Sequence, residues 1–208
     1  MDILTMLDTD RYPVDRLDGP AGRALIGELQ DDLASCGAAS LPGFVRPEAL
    51  EAMVAEAEEL AVLGYRGPTE VSPYFFDYDV AAGHDEGHPT RFRGERNLAQ
   101  VAYDLIPRTS LLCRLYHSDL ITRMVAQVQD KAELYRLADP YQSLNISVMG
   151  EGGCQQWHFD RGKLVTTLLL QAADRGGVFE YVPRIRSDEC ENFDRVQQVL
   201  NGERESVR

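Results

Sequence analysis

The chain has 208 residues, 44% of them hydrophobic and 26% charged, with a formal net charge of −13 at pH 7. These proportions suit a globular chain able to bury its own core, and one domain spanning residues 1–208 is expected. So acidic a chain lacks the basic surface that nucleic acid or an anionic membrane demands, and neither is expected as a partner. No apolar run reaches bilayer-spanning length, and the first residues lack the basic and apolar regions of a secretion signal. Cys36, Cys113, Cys154 and Cys190 are scattered without a metal-knuckle or disulfide-type spacing, so a reducing cytoplasm is the expected setting.

Taken in chain order, residues 20–36 carry Leu25, Leu29 and Leu33 in helical register, with Gly37 as a stop. Residues 39–45 read as a short strand and turn. Pro47 opens a second helix whose apolar face is Leu50, Val54, Ala57 and Leu60. Between Gly64 and Gly94 the sequence turns to Gly, Pro, His, Asp and aromatics without a sustained period, which reads as a long binding loop or lid. Helical character is expected again over 97–129, interrupted at Pro107, with Ser118 as an N-cap. Strands are then expected at 144–149, at 164–170 as a deeply buried run, and at 178–182 after the turn Asp174-Arg175-Gly176-Gly177. Ser187 is placed to cap a last helix through Val199 and Leu200, closed by Asn201-Gly202. Helices first and strands afterwards predict an α+β fold, with a helical part over 1–135 packed on a jelly-roll part over 136–208. No glycine-rich phosphate loop follows a strand, which disfavours a dinucleotide-binding fold.

The chemistry concentrates at His158-Phe159-Asp160, which follows Gly152-Gly153-Cys154-Gln155-Gln156-Trp157. On an extended backbone residues two apart share a face, so the imidazole and the carboxylate can meet one cation. They match two members of the 2-His-1-carboxylate triad that holds non-haem Fe(II). Trp157 and Phe159 flank the pair and can wall it from water. Spacing alone is equally compatible with a histidine satisfied in the core or on the surface. A cupin-like protein holding another cation is a further alternative.

The stretch Gln156-Trp157-His158-Phe159-Asp160, with Val165-Thr166-Thr167-Leu168-Leu169-Leu170-Gln171 and Gly176-Gly177-Val178-Phe179-Glu180-Tyr181-Val182-Pro183 after it, resembles the iron(II)/2-oxoglutarate-dependent oxygenases. It is nearest the branch that hydroxylates or chlorinates free amino acids, including the lysine halogenases. The similar block covers about residues 140 to 200, and Leu41-Pro42-Gly43-Phe44 with its helix also fits. The resemblance implies a cupin-like double-stranded β-helix, Fe(II), and 2-oxoglutarate as co-substrate. It further implies O2-dependent hydroxylation of a small amino-acid-like molecule, with release of succinate and CO2. His158 and Asp160 match its first two metal ligands. Chlorinating members carry a small residue at the carboxylate position, so Asp160 implies a hydroxylase.

Departures from the family's pattern shape the remaining expectations. No histidine follows His158, so the family's distal ligand and its 2-oxoglutarate-binding arginine have no counterpart. His84, His88 and His117 precede the motif and lack the context of that ligand. The chain is therefore expected to lack the C-terminal strands of the sheet, which exposes strand edges and favours a homodimer. The competing reading is a truncated or degenerate oxygenase domain that binds a ligand or partner without turnover. Tyr141 and Asn145, on the strand before the motif, are candidates to hydrogen-bond 2-oxoglutarate. Arg161 would favour an anionic or neutral substrate group, and Arg91 and Arg93 are candidates to clamp a substrate carboxylate. Solvation at the surface is the alternative for all three arginines.

Overall fold

A computed structural model describes residues 1–75, 83–160, 162 and 164–207. Its helices are α1 (Ile3–Met6), α2 (Pro20–Cys36), α3 (Pro47–Leu60), α4 (Leu111–Tyr116), α5 (Asp119–Val128) and α6 (Phe193–Leu200). Its strands are β1 (Glu70–Val71), β2 (Gly94–Asn97), β3 (Ala99–Val101), β4 (Ile146–Val148) and β5 (Cys154–Gln155). The sheets are small: β1-β2-β5 in one, β3-β4 in the other. The fold is mixed α and β, as expected, and no closed barrel forms among the described residues.

The chain divides into two compact units, one from Met1–Tyr65 with Gln100–Ile146, the other from Arg66–Ala99 with Ser147–Arg208. The first is helical. Pro20 starts α2 where its missing N–H costs nothing, and Gly37 ends it in the left-handed conformation at φ 78°. Leu25, Ile26 and Leu29 line its buried face, which packs on α5. Met6, Leu7, Val14, Leu17, Met53, Val101 and Cys113 are fully buried in the same unit. Helix α3 meets α4 through a specific device: the Glu56 carboxylate accepts the Leu111 N–H at 2.8 Å, satisfying an orphan donor in the first turn.

The second unit is built on the antiparallel β1-β2-β5 sheet, with Glu70 opposite Glu95 and Arg96 opposite Gln155. Helix α6 buries Val196 and Val199 and packs on a 3-10 turn at Pro89–Arg91. Tyr181 and Val207 exchange backbone hydrogen bonds of 3.0 and 2.9 Å.

Several expected elements differ. Residues 97–105 form strand and a 3-10 turn rather than helix, because Leu98 and Val101 are buried in extended backbone. The helix expected from Ser187 begins at Phe193, since Ser187 is engaged in a turn with Cys190. The expected strands at 164–170 and 178–182 form no ladder, apart from the Tyr181 bridge. A strand persists only where a neighbour accepts its backbone groups, and among the described residues the Tyr181–Val207 bridge is the one pairing given for these runs. Leu169 and Phe179 are each 72% exposed, the reverse of the burial their apolar character predicts. Among the described residues no helix is long and apolar enough to cross a membrane.

This exposure has a direct consequence. Leu169→Lys and Phe179→Lys should each change stability by no more than about 0.5 kcal/mol. Met53→Ala, at a fully buried position, should cost about 2–5 kcal/mol. Urea midpoints compare the three, and lysine variants as damaging as Met53→Ala would mean that these segments are buried.

Candidate metal centre

The site grows out of the β2–β5 ladder. Asn97 faces Cys154 and Arg96 faces Gln155, and the pairing continues one residue further as Gln156 N–H donates to the Glu95 carbonyl at 3.2 Å. Gly94 makes this approach possible, because a Cβ there would lie 2.6 Å from Gln156 Cβ. Three residues on, Phe159 N–H donates to the Pro73 carbonyl at 2.7 Å. His158 is thus carried on a short stretch anchored by backbone bonds on both sides.

Its imidazole is oriented by the same stretch. Nδ1 lies 2.8 Å from the Gln156 carbonyl, which can only accept, so Nδ1 carries a proton. In that tautomer Nε2 of the neutral ring is an acceptor, and the Gln155 side-chain nitrogen donates to it. Nε2 lies 3.2 Å from the Gln155 side-chain nitrogen and 3.6 Å from Asp160 Oδ1. Two donors in adjacent positions on one cation, each with a bond of about 2.1 Å, sit about 3.0 Å apart. The 3.6 Å separation of the pair is wider than that spacing, and two donors alone make up only part of a metal's coordination.

The same pairing favours the protonated imidazole. The Asp160 carboxylate, followed by the Gln156 carbonyl, raises the His158 pKa above its ordinary value, while burial and Arg96 oppose them. The His158 ring correspondingly lowers Asp160 against the opposing effect of burial. The stabilisation from His158 is complete below its unfolded value near 6.5 and is lost as pH rises through the folded one. The contribution of Asp160 is present above its unfolded value and lost as pH falls through its folded one. At 57% side-chain exposure of Asp160, solvent screens much of the attraction.

Around the pair stands an aromatic group that the motif alone did not reveal. The Phe75 ring meets the His158 imidazole edge-on at 5.4 Å, and Phe75 adopts a left-handed backbone with φ 55°. Such a conformation is costly for a bulky residue and persists only where its surroundings enforce it. Phe159 turns away from the pair, onto the Tyr74 ring at 5.1 Å and beneath the Arg186 guanidinium at 4.0 Å. Burial, reinforced by Glu191 and opposed by Arg186, pushes the Tyr74 pKa up to about 12. The density of aromatics over 64–94 was the sequence signal for Tyr74 and Phe75; Arg186 had none.

The other predicted residues are distributed differently. Trp157 is half-buried beside the pair. Arg91 donates to the His84 carbonyl at 3.0 Å, and Arg93 to the Thr90 and Phe92 carbonyls, so both brace their own loop. Tyr141 and Asn145 belong to the helical unit, where Tyr141 is exposed and Asn145 donates to the Gln142 carbonyl. Arg161 lies outside the described residues. Among the described residues no three His, Cys, Asp or Glu side chains converge as a metal cage. No family profile, no curated protein and no solved structure matches the chain.

Two substitutions probe this geometry. Asp160→Asn removes the main influence raising His158, so the imidazole titration followed by NMR should move to lower pH; an unmoved midpoint would break the pairing assigned here. Gly94→Ala forces a methyl group into Gln156 and should destabilise the chain by about 1–3 kcal/mol. The same variant should shift the His158 resonances, and unaltered signals would show that the crossing does not position the ring.

Proposed function

We propose that the chain is a 2-oxoglutarate-dependent oxygenase domain that hydroxylates a small amino-acid-like substrate using Fe(II) and O2. The observation that carries this reading is the orientation of His158. Its Nδ1–H is fixed on the Gln156 carbonyl, so Nε2 is directed to the side where Asp160 Oδ1 stands at 3.6 Å. His158 Nε2 and Asp160 would hold the metal. The bound metal and co-substrate supply the oxidising chemistry, with 2-oxoglutarate split to succinate and CO2. The chain's own residues supply orientation and shelter. Gln156 fixes the imidazole tautomer, Phe75 covers one edge of the ring, and Trp157 is half-buried beside it.

In this reading the β2–β5 ladder belongs to a double-stranded β-helix. The support is the resemblance of residues 140–200 to that family. Asp160, a full carboxylate, favours hydroxylation over chlorination. The absence of paired cysteines suits a reducing cytoplasm.

A second reading, ligand binding without turnover, is favoured by one observation: no third donor joins His158 and Asp160 among the described residues. Succinate formation separates the two. Incubated with Fe(II), 2-oxoglutarate, O2 and a panel of amino acids, the chain should release succinate above the metal-only background. Background-level succinate with every amino acid would favour binding without turnover. His158→Ala should weaken anaerobic Fe(II) binding by at least about 100-fold, and unchanged binding would refute the metal site.

A further inference from the structure

Away from the His158–Asp160 pair, the loop before β2 carries a second histidine arrangement. The rings of His84 and His88 stack face to face, with centroids 4.0 Å apart and planes within 6°. Phe193, the first residue of α6, packs on the stack, its ring 4.4 Å from His88 and 6.2 Å from His84. His88 also closes the 3-10 turn at Pro89–Arg91: its Nδ1 accepts the Thr90 N–H at 3.4 Å and lies 2.8 Å from Thr90 Oγ1. Because Nδ1 is an acceptor there, the neutral ring carries its proton on Nε2.

We propose that the His84–His88 stack is a proton-operated latch, holding α6 to this loop at neutral pH and releasing it on acidification. Three features favour a neutral ring at His88. A proton on His88 Nδ1 removes the acceptor that caps the 3-10 turn. Charging both rings sets two cations face to face at 4.0 Å. The N-terminal end of α6 disfavours positive charge, and no side chain caps it to absorb the loss of Phe193's contact.

The charged groups near the stack come from both sides. On the loop, Asp85 favours the imidazolium, Glu86 is its neighbour in sequence, and Arg91 is bonded to the His84 carbonyl. On the helix side stand Asp194 and Arg195, with Glu191 paired to Arg186 at 3.4 Å, and the Tyr74 ring lies across Phe193 at 6.1 Å. The balance lowers His88 below its ordinary value, through burial first and the charge of His84 second, against Asp85. Stability that depends on His88 is therefore whole above its unfolded value near 6.5 and is lost as pH falls through the folded one.

Hydrogen exchange of the full chain tests the latch, with α6 amides followed from pH 7.5 to 5.0 and rates corrected for intrinsic exchange. Protection at Val196–Leu200 should fall about tenfold or more on acidification. The fall should track the NMR titration of His88, which lies below 6.5. His158 is raised rather than lowered, so its transition occurs on the other side of that value. In a His84→Gln, His88→Gln double variant, where glutamine can still offer Thr90 an acceptor, α6 protection should no longer vary with pH. Constant protection in the native chain would overturn the latch. So would pH dependence persisting in the double variant, or a His88 midpoint at or above 6.5.

Discussion

The close crossing of β2 and the segment after β5 is the constraint on which the site rests. At Gly94 the two backbones approach so nearly that a single methyl group would collide with Gln156. That approach fixes Gln156, whose N–H and carbonyl serve the sheet and the His158 ring respectively. A backbone carbonyl held by a ladder cannot swing away as a side-chain acceptor can. The imidazole therefore keeps one tautomer and one facing direction without a dedicated carboxylate behind it. The orientation comes from sheet geometry, and a few residues of strand suffice for it.

Aromatic packing extends that rigidity outward. Phe159 lies between Tyr74 and Arg186, Tyr74 contacts Phe193, and Phe193 closes the two stacked histidines. His158 and Asp160 face each other at 3.6 Å while Phe159 between them packs on Tyr74 and Arg186. Period-two alternation thus divides polar chemistry from apolar support within three residues. The strained Phe75 backbone belongs to the same arrangement, since its ring is delivered against His158. Two proton-binding features of opposite sign lie in one unit. The Asp160 partner favours the imidazolium at His158, while stacking and burial favour the neutral ring at His88.

Of the first unit's helices α2 and α3 were legible, whereas α1 was not expected and α3 buries Ala49 and Met53 rather than the expected Leu50 and Val54. Pro20, Gly37 and Pro47 mark their ends through backbone chemistry that acts locally, and the apolar spacing of Leu25 and Leu29 marks the buried face. The strands were less legible, for a physical reason. Asn97 to Val101 can form a helix or a strand by composition, and the choice falls to whichever partner satisfies its backbone. Residues 164–170 show the converse: strong strand propensity without a neighbouring ladder leaves irregular, largely exposed chain.

By itself the sequence determined that the chain is acidic, that helices start at Pro20 and Pro47, and that an imidazole and a carboxylate stand two residues apart. Those are properties of covalent neighbours and of local backbone preference. Tertiary structure alone decided which carbonyl fixes the His158 tautomer, which rings enclose it, and that Arg91 and Arg93 brace their own loop. It also brought His84 and His88 into a stack beneath Phe193, a residue more than a hundred positions away in the sequence. Such contacts depend on how distant backbone segments approach one another, and no local pattern along the chain encodes that approach.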